Sequence, residues 1–256
     1  MKVAITGAAT GIGAAAARVL KARGATVIGF DIARPADHVD QWIEVDLGDR
    51  AAIDAAVAQA ETGINALINC AGLPPRDGQA ARLLQVNVFG LRFFTDAMLG
   101  RMAAGGAIVN IASRAGGEWR QNLDQVRALL NAADAETFVA ATNVDPTRAY
   151  RLSKEAVIVW TMARCEALLA RGLRMNTVSP AAVDTGILPD FLSAFGDSAS
   201  KNIERVGRAG QAGEIAELIA FLASPASHWI KGQDIVIDGG MSTLLACDAL
   251  GLGDLA

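Results

Sequence analysis

The stretch KVAITGAATGIGAAAARVLKARGATVIGFD, residues 2–31, decides the fold. KVAIT (2–6) is a short apolar run rich in β-branched residues and reads as a strand. Gly7, Gly11 and Gly13 follow it at once. Beyond them Ile12, Ala16, Val19 and Leu20 fall on one helical stripe, and Gly24 is placed to cap its end. ATVIGF (25–30) is a second strand, ending at Asp31. Glycines between a first strand and a helix let the backbone turn sharply and approach a pyrophosphate, whose charge meets the helix N-terminus. An acid at the end of the second strand accepts hydrogen bonds from an adenosine ribose and repels a 2′-phosphate. The pattern predicts dinucleotide binding, with NAD favoured over NADP. Arg34 bears on that preference, because it either neutralises Asp31 or points to solvent.

The same alternation continues down the chain. QWIEV (41–45), INALINC (64–70), AIVNIAS (107–113), GLRMNTVSP (172–180) and DIVIDGG (234–240) read as further strands. Between them RAAIDAAVAQA, a long stretch over 83–102, the segment from about 149 to 170 and GEIAELIAFLAS (213–224) carry helical spacing. Most strands are nearly continuous apolar runs, as when both sheet faces are covered. The prediction is one α/β domain over 1–256 with a doubly wound, seven-stranded parallel sheet flanked by helices.

Composition narrows the function. Hydrophobic residues make up 52% and charged residues 20%, so the chain is globular. A net charge of −4 gives no reason to expect nucleic acid or an anionic membrane, and no apolar run reaches the roughly 18 residues that span a bilayer. Three widely spaced cysteines form neither a disulfide framework nor a metal pattern. They suit a reducing cytoplasm, and Met1-Lys2 runs into VAIT without a signal-peptide pattern. The two histidines, His38 and His228, read as solvated loop residues, which argues against histidine-based hydrolysis or a zinc site.

Other groups must therefore carry any chemistry. Tyr150, the sole tyrosine, stands four residues before Lys154 in RAYRLSKEAVIVW. That spacing puts the two on one helical face. A neighbouring ammonium lowers a phenol from its ordinary pKa of about 10 and makes it a usable acid or base. Alone the pair is weak, since most such pairs are surface chemistry.

In company it is specific. TGAATGIG resembles the TGxxxGxG of the short-chain dehydrogenase/reductase family. NCAG (69–72) resembles its NNAG, with Cys70 in place of an asparagine. Asn87 in QVNVFG, Ser113 in NIASRAG, and Tyr150 and Lys154 in YRLSK fall in the family's order, and VSPAAVDTGI resembles its PG-x-x-x-T segment except at Ala181. The likeness covers nearly the whole chain. Within the family it is nearest to the coniferyl-alcohol and 3α-hydroxysteroid dehydrogenases, through KEAVIVW, RMN-x-x-x-P and HWIKGQDIVIDGG.

The resemblance implies hydride transfer between NAD and an alcohol. Tyr150 would be the general acid/base, and Lys154 would lower its pKa and hold the nicotinamide ribose. Ser113 would bond the substrate oxygen, and Asn87 would help hold a water linking Lys154 to solvent. Gly7, Thr10, Gly11, Ile12, Asp31, Asp46, Leu47, Asn69, Ala71, Gly72, Val183 and Thr185 would surround the cofactor together with Tyr150 and Lys154. No metal is implied. A homodimer or homotetramer is expected.

Two segments depart from the common plan. The stretch between Ser113 and Tyr150 is far longer than usual, and about 117–148 reads as a helical insertion with Leu123, Val126, Leu129 and Leu130 in register. Trp119 and Phe138 either wall a substrate pocket or simply pack, and the segment would also affect oligomerisation. Residues 186–207 read as a lid with Leu188, Phe191, Leu192 and Phe195 on its apolar face. Together they suggest a small hydrophobic alcohol or ketone, bulky and apolar: aryl, allylic or steroid-like. A sugar-nucleotide epimerase would show a different glycine spacing and a second domain, and enoyl reduction a wider Tyr–Lys gap. A nicotinamide-binding regulator without chemistry is the other alternative, although such proteins typically lose the tyrosine or lysine.

Overall fold

The structure, a computed structural model, describes residues 1–255. Its strands are β1 (Lys2–Thr6), β2 (Thr26–Asp31), β3 (Gln41–Glu44), β4 (Ile64–Asn69), β5 (Met102–Ile111), β6 (Arg174–Pro180), β7 (Val183–Asp184), β8 (Gly210–Gln211) and β9 (Asp234–Ile237). Seven of them form one sheet in the order β3-β2-β1-β4-β5-β6-β9, with every neighbouring pair parallel. The order reverses between β1 and β4. The crevice beyond the C-terminal ends of those two strands is where such sheets bind ligands.

The helices are α1 (Gly11–Ala22), α2 (Arg50–Gln59), α3 (Ala80–Leu84), α4 (Leu91–Met98), α5 (Leu123–Asn131), α6 (Ala135–Thr142), α7 (Pro146–Ala163), α8 (Cys165–Leu169), α9 (Leu188–Arg205), α10 (Ala212–Ala223) and α11 (Met241–Leu250). On one sheet face Leu20 of α1 and Ile215 and Ile219 of α10 pack on Ile5, Val27 and Val109. On the other, Ile53 of α2, Phe94 of α4 and Val157 and Trp160 of α7 pack on Phe30, Leu67 and Ile108. Both faces are covered, as the unbroken apolar strands require.

The expected long helix over 83–102 is instead three pieces. It begins at Ala80, widens into a π-helical stretch at Gln85–Gly90, and ends at Met98. Two side-chain facts accompany the wide turn. Asn87 turns its amide onto the backbone of Leu73. Gly90 lies so close to β3's continuation that a Cβ there would stand 2.0 Å from the Leu47 carbonyl oxygen. Met102 already pairs with Ile64, so β5 starts earlier than expected, with a register shift before Ala107. The helix expected from about 149 starts at Pro146 with Asp145 as its N-cap, accepting from the Arg148 amide, and breaks after Ala163 before α8.

The insertion is α5 and α6. Val126, Leu129, Ala135 and Phe138 pack on Leu83, Leu84 and Leu152, forming a third core outside the sheet. Consequently α7 is covered on both sides. Its Glu155 is fully buried and holds the insertion in place. Arg148 meets the two Glu155 carboxylate oxygens at 2.8 and 2.7 Å, and Asn122 donates to the same carboxylate at 2.8 Å. Arg148 also donates to Gln125 Oε1 at 2.9 and 2.7 Å.

Removing one partner of a buried ion pair leaves an uncompensated charge and costs about 3–5 kcal/mol, whereas replacing both by apolar groups is often near neutral. Arg148→Met is therefore expected to lower stability by about that amount. The Arg148→Met/Glu155→Leu double variant should recover most of it in urea unfolding. A single variant of unchanged stability would sink this account of the insertion's attachment.

Candidate active site

The glycine turn after β1 is built for close approach. Gly7 has φ +68°, and a Cβ on it would stand 2.7 Å from the Ala71 nitrogen, beyond the end of β4. A Cβ on Gly13 would stand 2.1 Å from the Gly7 carbonyl oxygen. Only glycines let the turn fold back here and leave its backbone amides open at the start of α1.

Asp31 closes the other side. One carboxylate oxygen accepts from the Ala9 amide at 2.9 Å and the other from the Ala33 amide at 3.0 Å, so the side chain is fixed against the glycine loop. Arg34 does not pair with it. Its guanidinium lies over Trp42, 5.9 Å from the ring centroid. His38 is not a solvated loop residue as expected. It is 3% exposed beneath the turn, with Nε2–H donating to the Ala8 carbonyl at 2.8 Å.

A cavity of about 880 Å³ runs from this turn along the strand ends to the lid. Of the residues expected around a cofactor, Gly7, Thr10, Ile12, Asp31, Asp46, Leu47, Ala71, Gly72, Tyr150, Lys154, Val183 and Thr185 line it. Gly11 does not, although it packs beside the Thr185 methyl. Asn69 is turned away. Its amide donates to Thr95 at 2.9 Å and Asn110 at 2.7 Å in a buried polar network under the sheet end, so its side chain serves the core. Arg82, unnoticed in the sequence, chelates Asp46 at 2.6 and 2.7 Å. Burial pushes the Asp46 carboxyl up, but Arg82 and the Gly48 amide more than offset it, leaving it below its ordinary range.

At the far end Ser113, Tyr150 and Lys154 converge. Ser113 caps a short 3-10 turn, accepting from the Ala115 amide at 3.1 Å. Lys154 Nζ donates to the Ile111 carbonyl at 3.0 Å and lies 5.6 Å from the Tyr150 ring centroid. Asn87 stands just behind. Its Oδ1 accepts from the Leu73 amide at 2.7 Å, and Gly72 sits between it and Lys154 Nζ. Asn87 does not itself line the cavity.

Burial sets the electrostatics. It pushes the Tyr150 phenol up to about 12, with the Ser113 hydroxyl pulling the other way. It pulls the Lys154 ammonium down to about 8 and pushes the Cys70 thiol up to about 12, so Cys70 behaves as a small apolar residue. The phenol is thus not lowered as the Tyr–Lys spacing suggests. The lid adds to that burial: Phe191 meets the Tyr150 ring edge-on at 4.9 Å and Phe195 at 6.2 Å, while the core beneath packs the rest of the ring.

The lid face differs from the expected one in half its members. Phe191 and Phe195 line the cavity with Ile187, Ala199 and Ile203, while Leu188 and Leu192 do not. Trp119 and Phe138 are packing residues rather than pocket walls. Met241, Ser242 and Leu245 of α11 complete the wall. Gly240 and Gly251, which bracket that helix, were its signal in the sequence.

Comparisons with known proteins agree with this geometry. Residues 1–124 match the family described as short chain dehydrogenase, and residues 135–242 match one described as Enoyl-(Acyl carrier protein) reductase, the break falling inside the insertion. The chain is 36% identical over 248 residues to a coniferyl-alcohol dehydrogenase of a Pseudomonas species, covering 94% of this chain and 96% of the relative. It is 34% identical over 251 residues to a 3-alpha-hydroxysteroid dehydrogenase/carbonyl reductase of Comamonas testosteroni, covering 95% and 97%. A crystal structure of a 3-alpha-hydroxysteroid dehydrogenase from a Pseudomonas species, complexed with NADH, superposes with a TM-score of 0.85 at 30% identity, covering 96% of this chain and 98% of that one. With its parallel sheet, its glycine turn and its serine, tyrosine and lysine on one cavity, this chain belongs to the short-chain dehydrogenase/reductase family.

Proposed function

We propose that the protein is an NAD-dependent dehydrogenase that interconverts a bulky apolar alcohol and its carbonyl compound. The observation that carries this reading is one continuous cavity with the glycine turn and Asp31 at one end and Ser113, Tyr150 and Lys154 at the other. The residues fit a nicotinamide dinucleotide, because Gly7 and Gly13 let the turn fold tightly on the Ala71 and Gly7 backbone at the start of α1, and the Asp31 carboxylate lies against that turn without a cationic partner. The relatives support the choice of substrate: one is named for coniferyl alcohol, another for a 3α-hydroxysteroid.

Bound NAD supplies the hydride acceptor. This chain's residues handle the proton and the orientation. The Tyr150 phenol takes the carbinol proton in oxidation and returns it in reduction. The Ser113 hydroxyl bonds the substrate oxygen and holds it against the phenol. Protonated Lys154, fixed on the Ile111 carbonyl, stabilises the phenolate. Asn87 holds the Leu73 backbone and keeps one lone pair of Oδ1 free beside Gly72 for a relay water. Phe191 and Phe195 lie on the Tyr150 ring and leave that residue 7% exposed, so the lid crowds the place where substrate meets the phenol.

Four outcomes test this reading. Absorbance of reduced nicotinamide should appear when NAD is offered with coniferyl alcohol, a 3α-hydroxysteroid or simple phenylalkanols. Tyr150→Phe should cut kcat by about 10²–10⁴-fold while leaving NAD binding largely intact, and a near-normal kcat would overturn the role given to Tyr150. Asp31→Asn, which keeps the shape and removes the charge, should narrow the preference for NAD over NADP in kcat/KM; an unchanged ratio would place that preference elsewhere. Finally, Phe191→Ala should let water reach the only phenol in the chain. Its titration, followed by the phenolate absorbance, should fall from about 12 toward the ordinary value of about 10. No movement would mean that the lid does not set the phenol's environment.

A further inference from the structure

The lid α9 buries none of its residues in the protein core. Two ion pairs hold its ends. Arg76 meets Asp190 at 2.9 and 3.1 Å near its start, and Arg205 meets Asp248 at 2.9 Å at its end. Between them the helix breaks at Gly196, whose φ is +57°. The short β7–β8 pair closes the base of the excursion. The lid is thus a strap tied at both ends, and its first half is the part that lies over the tyrosine.

That half carries Phe191 and Phe195. Their rings are nearly parallel, 19° apart with centroids at 6.3 Å, and both present themselves to the Tyr150 ring, at 63° and 70°. Arg151, the residue after the tyrosine, lies over Phe195 at 5.2 Å and fixes that ring from the side of α7. Past Gly196 the lid offers the cavity only Ser198, Ala199, Asn202, Ile203 and Val206. Aromatic surface is therefore concentrated within one ring's width of the phenol, where the carbon skeleton next to the carbinol must lie.

A substrate that reaches Tyr150 has to replace these ring contacts. An aryl group replaces them in kind, by edge-to-face and offset contacts that exceed plain area burial. A saturated ring of the same size restores the area alone. We propose that Phe191 and Phe195 are specificity-determining residues that select alcohols carrying a planar unsaturated ring beside the carbinol, over saturated alicyclic ones. This rests on the alcohol-dehydrogenase reading above and narrows it.

The test compares benzyl alcohol with cyclohexylmethanol, at saturating NAD, in the wild type and in Phe191→Leu, Phe195→Leu and Phe191→Tyr. The wild type should favour the aryl alcohol in kcat/KM by about two- to tenfold for each ring contact replaced. Each leucine variant should lose most of that advantage, read as the ratio of kcat/KM for the two alcohols so that any change common to both through the phenol cancels. Phe191→Tyr, which keeps the ring, should keep the preference. An advantage that survives both leucine substitutions, an equal loss on both alcohols, or a wild type that prefers the saturated alcohol overturns the inference while leaving the dehydrogenase reading intact. A wild type that oxidises neither alcohol, nor a steroid or other phenylalkanol, sinks the dehydrogenase reading and this inference with it.

Discussion

Helix α7 carries a phenol, an ammonium and a carboxylate within two turns, and Tyr150, Lys154 and Glu155 are all buried. Water cannot solvate them there, so each needs a protein partner or must give up its charge. The architecture around the helix follows from this. The end of β5 presents the Ile111 carbonyl to Lys154. The insertion presents Asn122 to Glu155, and Arg148 from α7's own first turn completes that pair. The lid covers Tyr150 with aromatic rings. Sheet, insertion and lid meet at one helix, the sheet and insertion supplying polar partners and the lid an apolar cover.

Close backbone approach is the second requirement. A Cβ on Gly116 would stand 2.8 Å from the Lys154 carbonyl carbon and 2.9 Å from the Glu155 nitrogen. The turn that follows Ser113 therefore lies directly on the backbone of α7, and serine and tyrosine keep one spacing. Gly90 does the same for the helix of Asn87 against Leu47. The π-helical stretch between Gln85 and Gly90 is a local departure of the kind found at functional sites, and here it aims Asn87 at the loop behind Lys154.

Much of this was legible in residues 2–31, because a glycine turn between a strand and a helix has few other uses and apolar runs of strand length report double-sided burial. The parallel sheet and most of the cavity lining followed. What stayed hidden was tertiary. Asn69 and His38 looked like site or surface residues, but their polar atoms found partners in the core. The π-helical stretch left no mark on apolar periodicity, since both of its flanks are ordinary helix. Leu188 and Leu192 share a stripe with Phe191 and Phe195 on paper. Which of them line the cavity depends on how the strap lies over it, which is a tertiary matter.

The phenol shows how two sequence-level rules compete. A lysine four residues on should lower its pKa, and burial should raise it. A unit charge roughly 5–6 Å away at an effective dielectric of about 20 is worth about 3 kcal/mol, which is about two pKa units. That is the size of the rise from the ordinary value to about 12 that burial imposes on Tyr150. With the lid down the lysine can at best return the phenol to where it began. On the proposed reading, a working acid/base near neutrality needs the phenol's burial relieved as well as the ammonium present. Lys154, itself pulled down to about 8 by burial, remains protonated at neutral pH with little to spare. On the proposed reading, chemistry at Tyr150 and movement of Phe191 and Phe195 are parts of one event, and the segment proposed to select the substrate would also govern the group that deprotonates it.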